Sequence, residues 1–128
     1  MRQNVDAKRP WAAILGYSRA VRVGDVIEVS GTAAAGPDGS VLAQGDVYGQ
    51  SREALRIIGE ALAEAGGSFA DVVRTRIYLS DASTWEQAGR AHGEVFADVR
   101  PANTTMAVNG FIDPAILVEI EATAILDA

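Results

Sequence analysis

The fold is decided by the stretch Ile116-Leu117-Val118-Glu119-Ile120-Glu121-Ala122-Thr123-Ala124-Ile125-Leu126. Its residues alternate with a period of two, which indicates a β-strand. One row of this strand is wholly apolar: Ile116, Val118, Ile120, Ala122 and Ala124. The other row mixes polar and apolar residues: Leu117, Glu119, Glu121, Thr123 and Ile125. We expect the first row to face the core, whereas the partly apolar second row needs another partner, for which a neighbouring subunit is the natural candidate.

A second strand is predicted over Asp71–Leu79, where the residues alternate in the same way. One row contains Val73, Thr75, Ile77 and Leu79, and the other contains Arg74, Arg76 and Tyr78. If this strand lies beside the last one, Arg74 and Arg76 can form a ladder of ion pairs with Glu119 and Glu121, adding some tenths of a kcal/mol per pair. Alternatively, one of the two glutamates lies in a cleft, where its carboxylate orients a water or accepts a proton.

Two stretches show helical spacing. Between Asp46 and Ala65 the apolar residues recur every three or four positions, with Asp46 as N-cap and Gly66-Gly67 as the stop. The apolar positions are Val47, Leu55, Ile58, Leu62 and Ala65. The second helix is predicted over Thr84–Phe96, with one stripe formed by Trp85, Ala88, His92, Val95 and Phe96.

The remaining segments complete the element order. Arg19–Ser30 reads as a hairpin turning at Gly24-Asp25, Gly36-Pro37-Asp38-Gly39 as a loop, and Thr104–Val108 as a further strand. The order is strands, helix, strand, helix, strands, which predicts an α+β fold with a mixed sheet and both helices packed on one face.

Composition limits the function. The 128 residues predict a single domain spanning 1–128, and 11 Lys and Arg against 17 Asp and Glu give a net charge of −6. An acidic chain disfavours binding to nucleic acid or to an anionic membrane surface. The absence of cysteine excludes disulfides, thiolate metal sites and a cysteine nucleophile. The apolar run Trp11–Leu15 is too short for a signal peptide or a membrane span, so we expect a soluble, cytoplasmic protein.

Common catalytic motifs are missing. The chain has no Walker loop, no Gly-x-Gly-x-x-Gly, no His-Glu-x-x-His and no Gly-x-Ser-x-Gly. With one histidine and no cysteine, a zinc site would consist almost wholly of carboxylates, so we predict no metal. His92 can act as a general base. Its place on a stripe with Trp85 and Phe96 favours a packed, hydrogen-bonded histidine instead.

Several short motifs together resemble the RidA/YjgF/UK114 family. They are Gly16-Tyr17-Ser18-Arg19-Ala20, Val29-Ser30-Gly31-Thr32, residues 65–73, Arg100-Pro101-Ala102 and Leu117-Val118-Glu119-Ile120-Glu121-Ala122. The likeness runs in order from about residue 14 to residue 125. It implies a chorismate-mutase-like fold, assembled as a homotrimer around a barrel, with clefts between subunits. It also implies cofactor-free hydrolysis of small enamines and imines such as 2-aminoacrylate to 2-keto acids and ammonia.

The resemblance also implies site residues. Tyr17 and Glu119 match the family's catalytic tyrosine and glutamate, and Ser30 matches its substrate-positioning serine. Each has a structural alternative: Tyr17 as an interface aromatic, Ser30 as a turn residue and Glu119 as a partner in the ion-pair ladder.

One position departs from the family pattern. Asn103 stands where active deaminases carry, two residues after the proline, an arginine that holds the substrate carboxylate. An amide offers only neutral hydrogen bonds, so the loss weakens anchoring about tenfold to over a hundredfold. With Thr104 and Thr105, Asn103 predicts an uncharged, substrate-binding lining suited to a carbonyl or amide. Arg19, Arg90 and Arg100 remain open as substitute cations.

Three functions follow as hypotheses. The first is a Rid-type hydrolase for an enamine, imine or related carbonyl metabolite other than 2-aminoacrylate. The second is a noncatalytic trimer that binds or senses a metabolite in the same clefts. The third, a ribonuclease or translation inhibitor, is disfavoured by the acidic charge and by the absence of a basic, aromatic-rich strand face.

Overall fold

The chain is described by a computed structural model that covers residues 1–127; Ala128, the last residue of the predicted domain 1–128, lies outside the described residues. The strands are β1 Arg2–Val5, β2 Ala20–Val23, β3 Val26–Thr32, β4 Val72–Leu79, β5 Ala102–Ala107 and β6 Val118–Ile125. The α-helices are α1 Trp11–Leu15, α2 Val47–Glu64 and α3 Trp85–Phe96. Short 3₁₀ turns at Phe69–Asp71 and Ala82–Thr84 precede β4 and α3.

The strands form one mixed sheet in the order β1-β2-β3-β6-β4-β5. β6 lies between β3 and β4 and is antiparallel to both, while β4 and β5 are parallel. The segment between β4 and β5 contains α3, as a parallel crossover requires. The predicted mixed α+β sheet is therefore confirmed, with the stretch that decides the fold at its centre.

Both long helices cover one face of the sheet and enclose the core. The apolar row of β6 is buried throughout, from Ile116 to Ala124. It packs with Leu55, Ile58 and Leu62 of α2, the stripe that the helical spacing predicted. The N-cap prediction is also confirmed, because the side chain of Asp46 accepts a hydrogen bond from the backbone N–H of Gly49 at 3.0 Å.

Two apolar residues that the periodicity grouped with residues now found buried are exposed. Val73 is 44% exposed, because the β4–β6 register shifts between Val72 and Arg74 and Val72 takes the inward place. Trp85 is 57% exposed. It is the first residue of α3 and lies, with Met106, around a shallow apolar cavity at the β5 edge rather than over the core.

The boundaries of several elements differ from the predicted ones. β1 has no counterpart in the sequence reading, and the short apolar run at residues 11–15 forms α1. β5 begins at Ala102, two residues earlier than predicted, and β6 begins at Val118 because Ile116 and Leu117 still belong to the preceding loop. Within residues 1–127, no helix has both the length and the apolar character needed to cross a membrane.

Candidate functional site

A cavity of about 300 Å³ opens on the side of the sheet away from α2 and α3. Its polar lining residues are Arg9, Tyr17, Arg19, Ser30, Gly31, Glu119 and Glu121. We call it the hairpin cavity, because Arg19 directly precedes β2 and Ser30 and Gly31 lie at the end of β3. Its apolar wall comes from α1 and from the loop before β6, with Trp11, Leu15, Ile112 and Ile116. The structure thus brings Tyr17, Ser30 and Glu119, three of the predicted site residues, to one place.

Glu119 reaches the cavity because it lies on the row of β6 opposite the core. The β3–β6 pairing is irregular between Val29 and Thr32, so the strand leaves its ladder beside this carboxylate. Glu119 Oε1 lies so close to Gly31 that a Cβ built there would be 2.8 Å away. Burial raises the pKa of Glu119 above its ordinary 4.5, the charge of Arg19 opposes that rise, and Glu121 adds to it.

Arg19 is the most buried cation of the cavity, with 6% of its surface exposed. Its Nη1 donates to the carbonyl oxygen of Gly31 at 3.0 Å and to Thr32 Oγ1 at 3.1 Å. Its Nη2 donates to the Tyr17 hydroxyl at 3.4 Å. The Nε–H finds no acceptor among residues 1–127. The guanidinium is therefore fixed in place with one donor left over.

Tyr17 and Ser30 are held by the same hairpin. The left-handed Gly16, with φ of 71°, ends α1 and turns the chain toward Tyr17, whose ring lies 5.5 Å from the Arg19 Cζ. Ser30 Oγ donates to the carbonyl oxygen of Ser18 at 2.6 Å. Ser30 therefore lines the cavity and also fastens the strand end, so it fits both readings given for it above.

Asn103 and Thr104 do not line the hairpin cavity of their own chain. Both lie on β5 at the outer edge of the sheet, with β4 between them and β6. The Asn103 amide donates to Thr75 Oγ1 at 3.0 Å, whereas Thr104 Oγ1 accepts from Arg74 Nη2 at 2.6 Å. Adjacent strand residues point to opposite faces, so these two side chains serve different faces of the sheet.

The predicted ion-pair ladder is largely absent. Arg76 lies opposite Glu121, and their charged atoms approach only to 3.9 Å. Glu121 Oε1 instead accepts a hydrogen bond from the Tyr78 hydroxyl at 3.0 Å. Glu119 stands opposite Tyr78 rather than an arginine and forms no ion pair among residues 1–127. Of the two readings of Glu119, the geometry thus favours the cleft position.

His92 is a packed histidine, as its helical stripe predicts. Its Nε2 lies 2.8 Å from Thr75 Oγ1, its ring centroid lies 4.6 Å from that of Phe96, and burial lowers its pKa below the ordinary 6.5. His92 does not line the hairpin cavity.

Of the three open substitutes for the missing arginine, Arg19 alone lines the hairpin cavity. Arg90 stacks over the Tyr48 ring at 4.3 Å, on the helices. Arg9 also lines the cavity, and it belongs to none of the motifs that pointed to a site. Among residues 1–127, no three or more His, Asp or Glu side chains gather in a way that could hold a metal ion.

Comparison with known proteins identifies the family and agrees with the fold. A family model described as endoribonuclease L-PSP matches residues 7–126. A YjgF/YER057c/UK114 family protein of Mycobacterium tuberculosis has a similar structure, with a TM-score of 0.88 and 41% identity over 98% of this chain and all of that one. Two curated relatives are an uncharacterised protein of Streptomyces coelicolor and a human 2-iminobutanoate/2-iminopropanoate deaminase. The first is 39% identical over 95% of this chain and 90% of its own length, the second 34% identical over 93% and 85%.

The chain is a small α+β cavity protein. Helices cover one face of its mixed sheet, and an acid, a tyrosine and a serine surround a cavity on the other face. This chain belongs to the RidA/YjgF/UK114 family within that class. Related proteins in the family are imine deaminases.

Proposed function

We propose that the chain is a Rid-type hydrolase that converts a small imine or enamine to the corresponding carbonyl compound and ammonia in the hairpin cavity. One observation carries the proposal: the Glu119 carboxyl, with its raised pKa, faces the cavity beside Tyr17 and Ser30. The deaminase name of the human relative supports the choice of reaction.

The reaction needs water and a group that moves protons. The oxygen of a water molecule bonds to the imine carbon, the C–N bond then breaks, and the nitrogen leaves as ammonia. Glu119 takes a proton from the attacking water and passes it to the imine nitrogen, which gives a carbinolamine. It then takes the proton of the new hydroxyl group and passes it to the same nitrogen, so that the C=O bond forms, the C–N bond breaks and Glu119 ends in the state in which it began. An enamine enters the same sequence after it moves one proton from nitrogen to its β-carbon and becomes the imine. Because its pKa is raised, the Glu119 carboxylate is a stronger base toward water, and a larger fraction of the carboxyl is protonated at working pH than in an ordinary glutamate. Tyr17 holds the substrate through its hydroxyl.

The substrate is proposed to differ from 2-aminoacrylate, because Asn103 stands at the family's arginine position.

We also propose that the protein is a cytoplasmic homotrimer. The outer edge of β5 is largely exposed, and Met106 and Trp85 leave an apolar patch there that a neighbouring copy can cover. Light scattering on the purified chain tests the trimer: a mass near three times 13.4 kDa is expected, and a monomer contradicts it.

Imine turnover tests the proposed reaction. An amino-acid oxidase generates a series of 2-imino acids in place, and loss of each imine is followed with and without the protein. We expect faster loss of at least one member other than the simplest imines, and a drop of about 100-fold in Glu119→Gln, the range expected for removing a general acid or base. Tyr17→Phe is expected to lose less, because it removes one hydroxyl.

Matched control variants separate chemistry from folding. The controls are Glu28→Gln and Tyr48→Phe. Glu28 lies on neighbouring β3 and accepts a hydrogen bond from Thr123 outside the cavity, and Tyr48 lies on α2. Both are expected to keep native rates. Saturable binding of a metabolite without turnover of any imine would favour the noncatalytic binding protein instead.

A further inference from the structure

We propose that Arg19 is the anion-binding group of the hairpin cavity, so that the ligand carries a carboxylate that docks on the guanidinium of the hairpin rather than on β5. The inference rests on the proposed function for the chemistry that follows binding. It is an assignment of binding and can be measured without turnover.

The hydrogen-bond count of Arg19 supports the assignment. A guanidinium has five N–H donors in a rigid plane. Three are used, two by Nη1 and one by Nη2 in a long 3.4 Å bond to Tyr17. Two donors remain, Nε–H and one Nη2–H, and an Nε–H and an Nη–H can together hold a carboxylate through two parallel bonds. Nε is inaccessible to solvent in this structure, so docking on this pair requires a small movement of the cavity wall. An unpaired donor on a side chain that is only 6% exposed is costly, and an anionic ligand would relieve that cost.

The positive charges of Arg9 and Arg19 also favour the binding of an anion. Arg9 lines the same cavity and is held by the carbonyl oxygens of Ala35, Ala7 and Lys8, none of which carries a charge. Burial lowers the pKa of Arg9, and the positive charge of Arg19 lowers it further. The two guanidinium groups thus repel each other. Glu119 and Glu121 also line the cavity, yet among residues 1–127 no carboxylate lies within ion-pair distance of Arg9 or Arg19. A bound carboxylate would offset this repulsion.

The position of Asn103 fits this arrangement. Its amide is occupied within its own chain, donating to Thr75 and accepting from Thr105 Oγ1 at 2.8 Å. Arg19 and Glu119 line the same cavity and both lie against Gly31, whose carbonyl oxygen accepts from Arg19 Nη1 and whose Cα faces Glu119 Oε1. A ligand anchored at Arg19 therefore holds its reacting carbon within the same cavity as the proposed proton carrier. The sequence predicted an uncharged binding site around Asn103, whereas in this proposal the binding site carries the positive charge of Arg19.

Paired ligands that differ only in charge test the inference. The probes are 2-oxobutanoate and its neutral counterpart 2-oxobutanamide, whose dissociation constants are measured by titration calorimetry. We expect the native protein to bind the carboxylate about 10- to 100-fold more tightly than the amide, the range of a charge-assisted hydrogen-bond pair. Arg19→Gln is expected to bring this ratio near one, whereas Arg19→Lys keeps part of it.

Arg22→Gln is the matched control, since Arg22 lies on β2 and donates to the carbonyl oxygens of Gly24 and Ala65, outside the cavity. It is expected to keep the native ratio. The ratio compares the dissociation constants of two ligands for the same protein sample, so a partly misfolded fraction of a variant lowers the binding of both and leaves the ratio unchanged. The ratio measured on the native protein tests the assignment without any substitution. Equal affinities in the native protein, no binding of the carboxylate, or a ratio that survives Arg19→Gln would each overturn the assignment. A strong preference without imine turnover would leave the assignment standing and remove the proposed reaction.

Discussion

The hydroxyl of Thr75 lies 2.8 Å from Nε2 of His92, and this bond makes the histidine part of the structure rather than of the site. The Asn103 amide donates to the same hydroxyl oxygen at 3.0 Å. The Thr75 hydroxyl can donate its own hydrogen to His92 Nε2, and in that arrangement the ring proton lies on Nδ1 and the imidazole is neutral. The lowered pKa of His92 agrees with this assignment. The network links α3, β4 and β5, so Asn103 helps to hold the sheet edge to the helix.

Thr75→Val is expected to destabilise the fold by about 1–3 kcal/mol. Valine has nearly the same shape but leaves Nε2 of His92 and the amide of Asn103 without their shared partner, and Thr75 is fully buried. Urea unfolding gives the change in free energy. Thr123→Val is the control, because Thr123 lies on the open face and its hydroxyl bonds the exposed Glu28; it should change stability by about 0.5 kcal/mol or less. Equal effects for the two variants would contradict the network.

Glu119→Gln is expected to stabilise the protein at pH 7 by about 0.5–1 kcal/mol while it removes activity. Burial raises the pKa of Glu119, so between pH 4.5 and that raised value the folded chain holds a proton that the unfolded chain has lost. The stability of the native protein therefore decreases as pH rises through this window. The amide of the Glu119→Gln variant does not titrate, so this decrease is absent from the variant.

Thermal unfolding of the native protein and of Glu119→Gln across this pH range provides the measurement. The difference in melting temperature should be largest near neutral pH and shrink to a constant value below about pH 4.5, where the carboxyl becomes protonated in the unfolded chain as well. Glu28→Gln should track the native curve. A variant less stable than the native protein at pH 7 would show that Glu119 is a stabilising partner instead.

Gly31→Ala is expected to lower imine turnover more than it lowers stability. The new Cβ would lie 2.8 Å from Glu119 Oε1, the far end of a flexible side chain, so the carboxylate moves and the backbone keeps its place. We expect a loss of about tenfold or more in kcat/KM with a stability change within about 1 kcal/mol. Gly93→Ala on α3 is the control, since no atom lies within 4 Å of its added Cβ. Native kinetics in Gly31→Ala would mean that the carboxylate position is unimportant.

Gln50→Leu is expected to cost about 2–4 kcal/mol and to raise KM. The fully buried Gln50 donates to the carbonyl oxygen of Ala115 at 2.9 Å and accepts from the N–H of Leu117 at 2.8 Å. Leucine leaves both backbone groups unpaired, at about 1–3 kcal/mol each. The loop they belong to carries Ile112 and Ile116 into the cavity wall, so its loosening should weaken substrate binding.

Gln44→Leu, an exposed change before α2, should leave both the stability and the KM of the native protein unchanged. Chemical denaturation and steady-state kinetics measure the two quantities. A Gln50→Leu protein with native KM would show that the loop holds its place without this amide.

Much of the fold follows from patterns that depend only on neighbouring residues. The alternation in residues 116–126, the α2 stripe and the Asp46 cap all specify local structure, and each is found as predicted. Val73 escaped prediction because a bulge shifts the pairing of two strands that are distant in sequence. Gln50 gave no signal either, since a glutamine on a helix is ordinary until its partners, 65 and 67 residues away, are known.

The sequence by itself determined the elements, the mixed sheet, the family and the candidates Tyr17, Ser30 and Glu119, because periodicity and motifs are written along the chain. Only the tertiary structure decided which cations face the cavity and which carboxylate faces an arginine. Those answers depend on strand register and on the irregular pairing beside Gly31, which set Glu119 across from Tyr78 and bring Arg19 into the cavity. The missing charge at Asn103 is a property of the sequence, whereas the buried charge of Arg19 in the same cavity as Glu119 is a property of the fold.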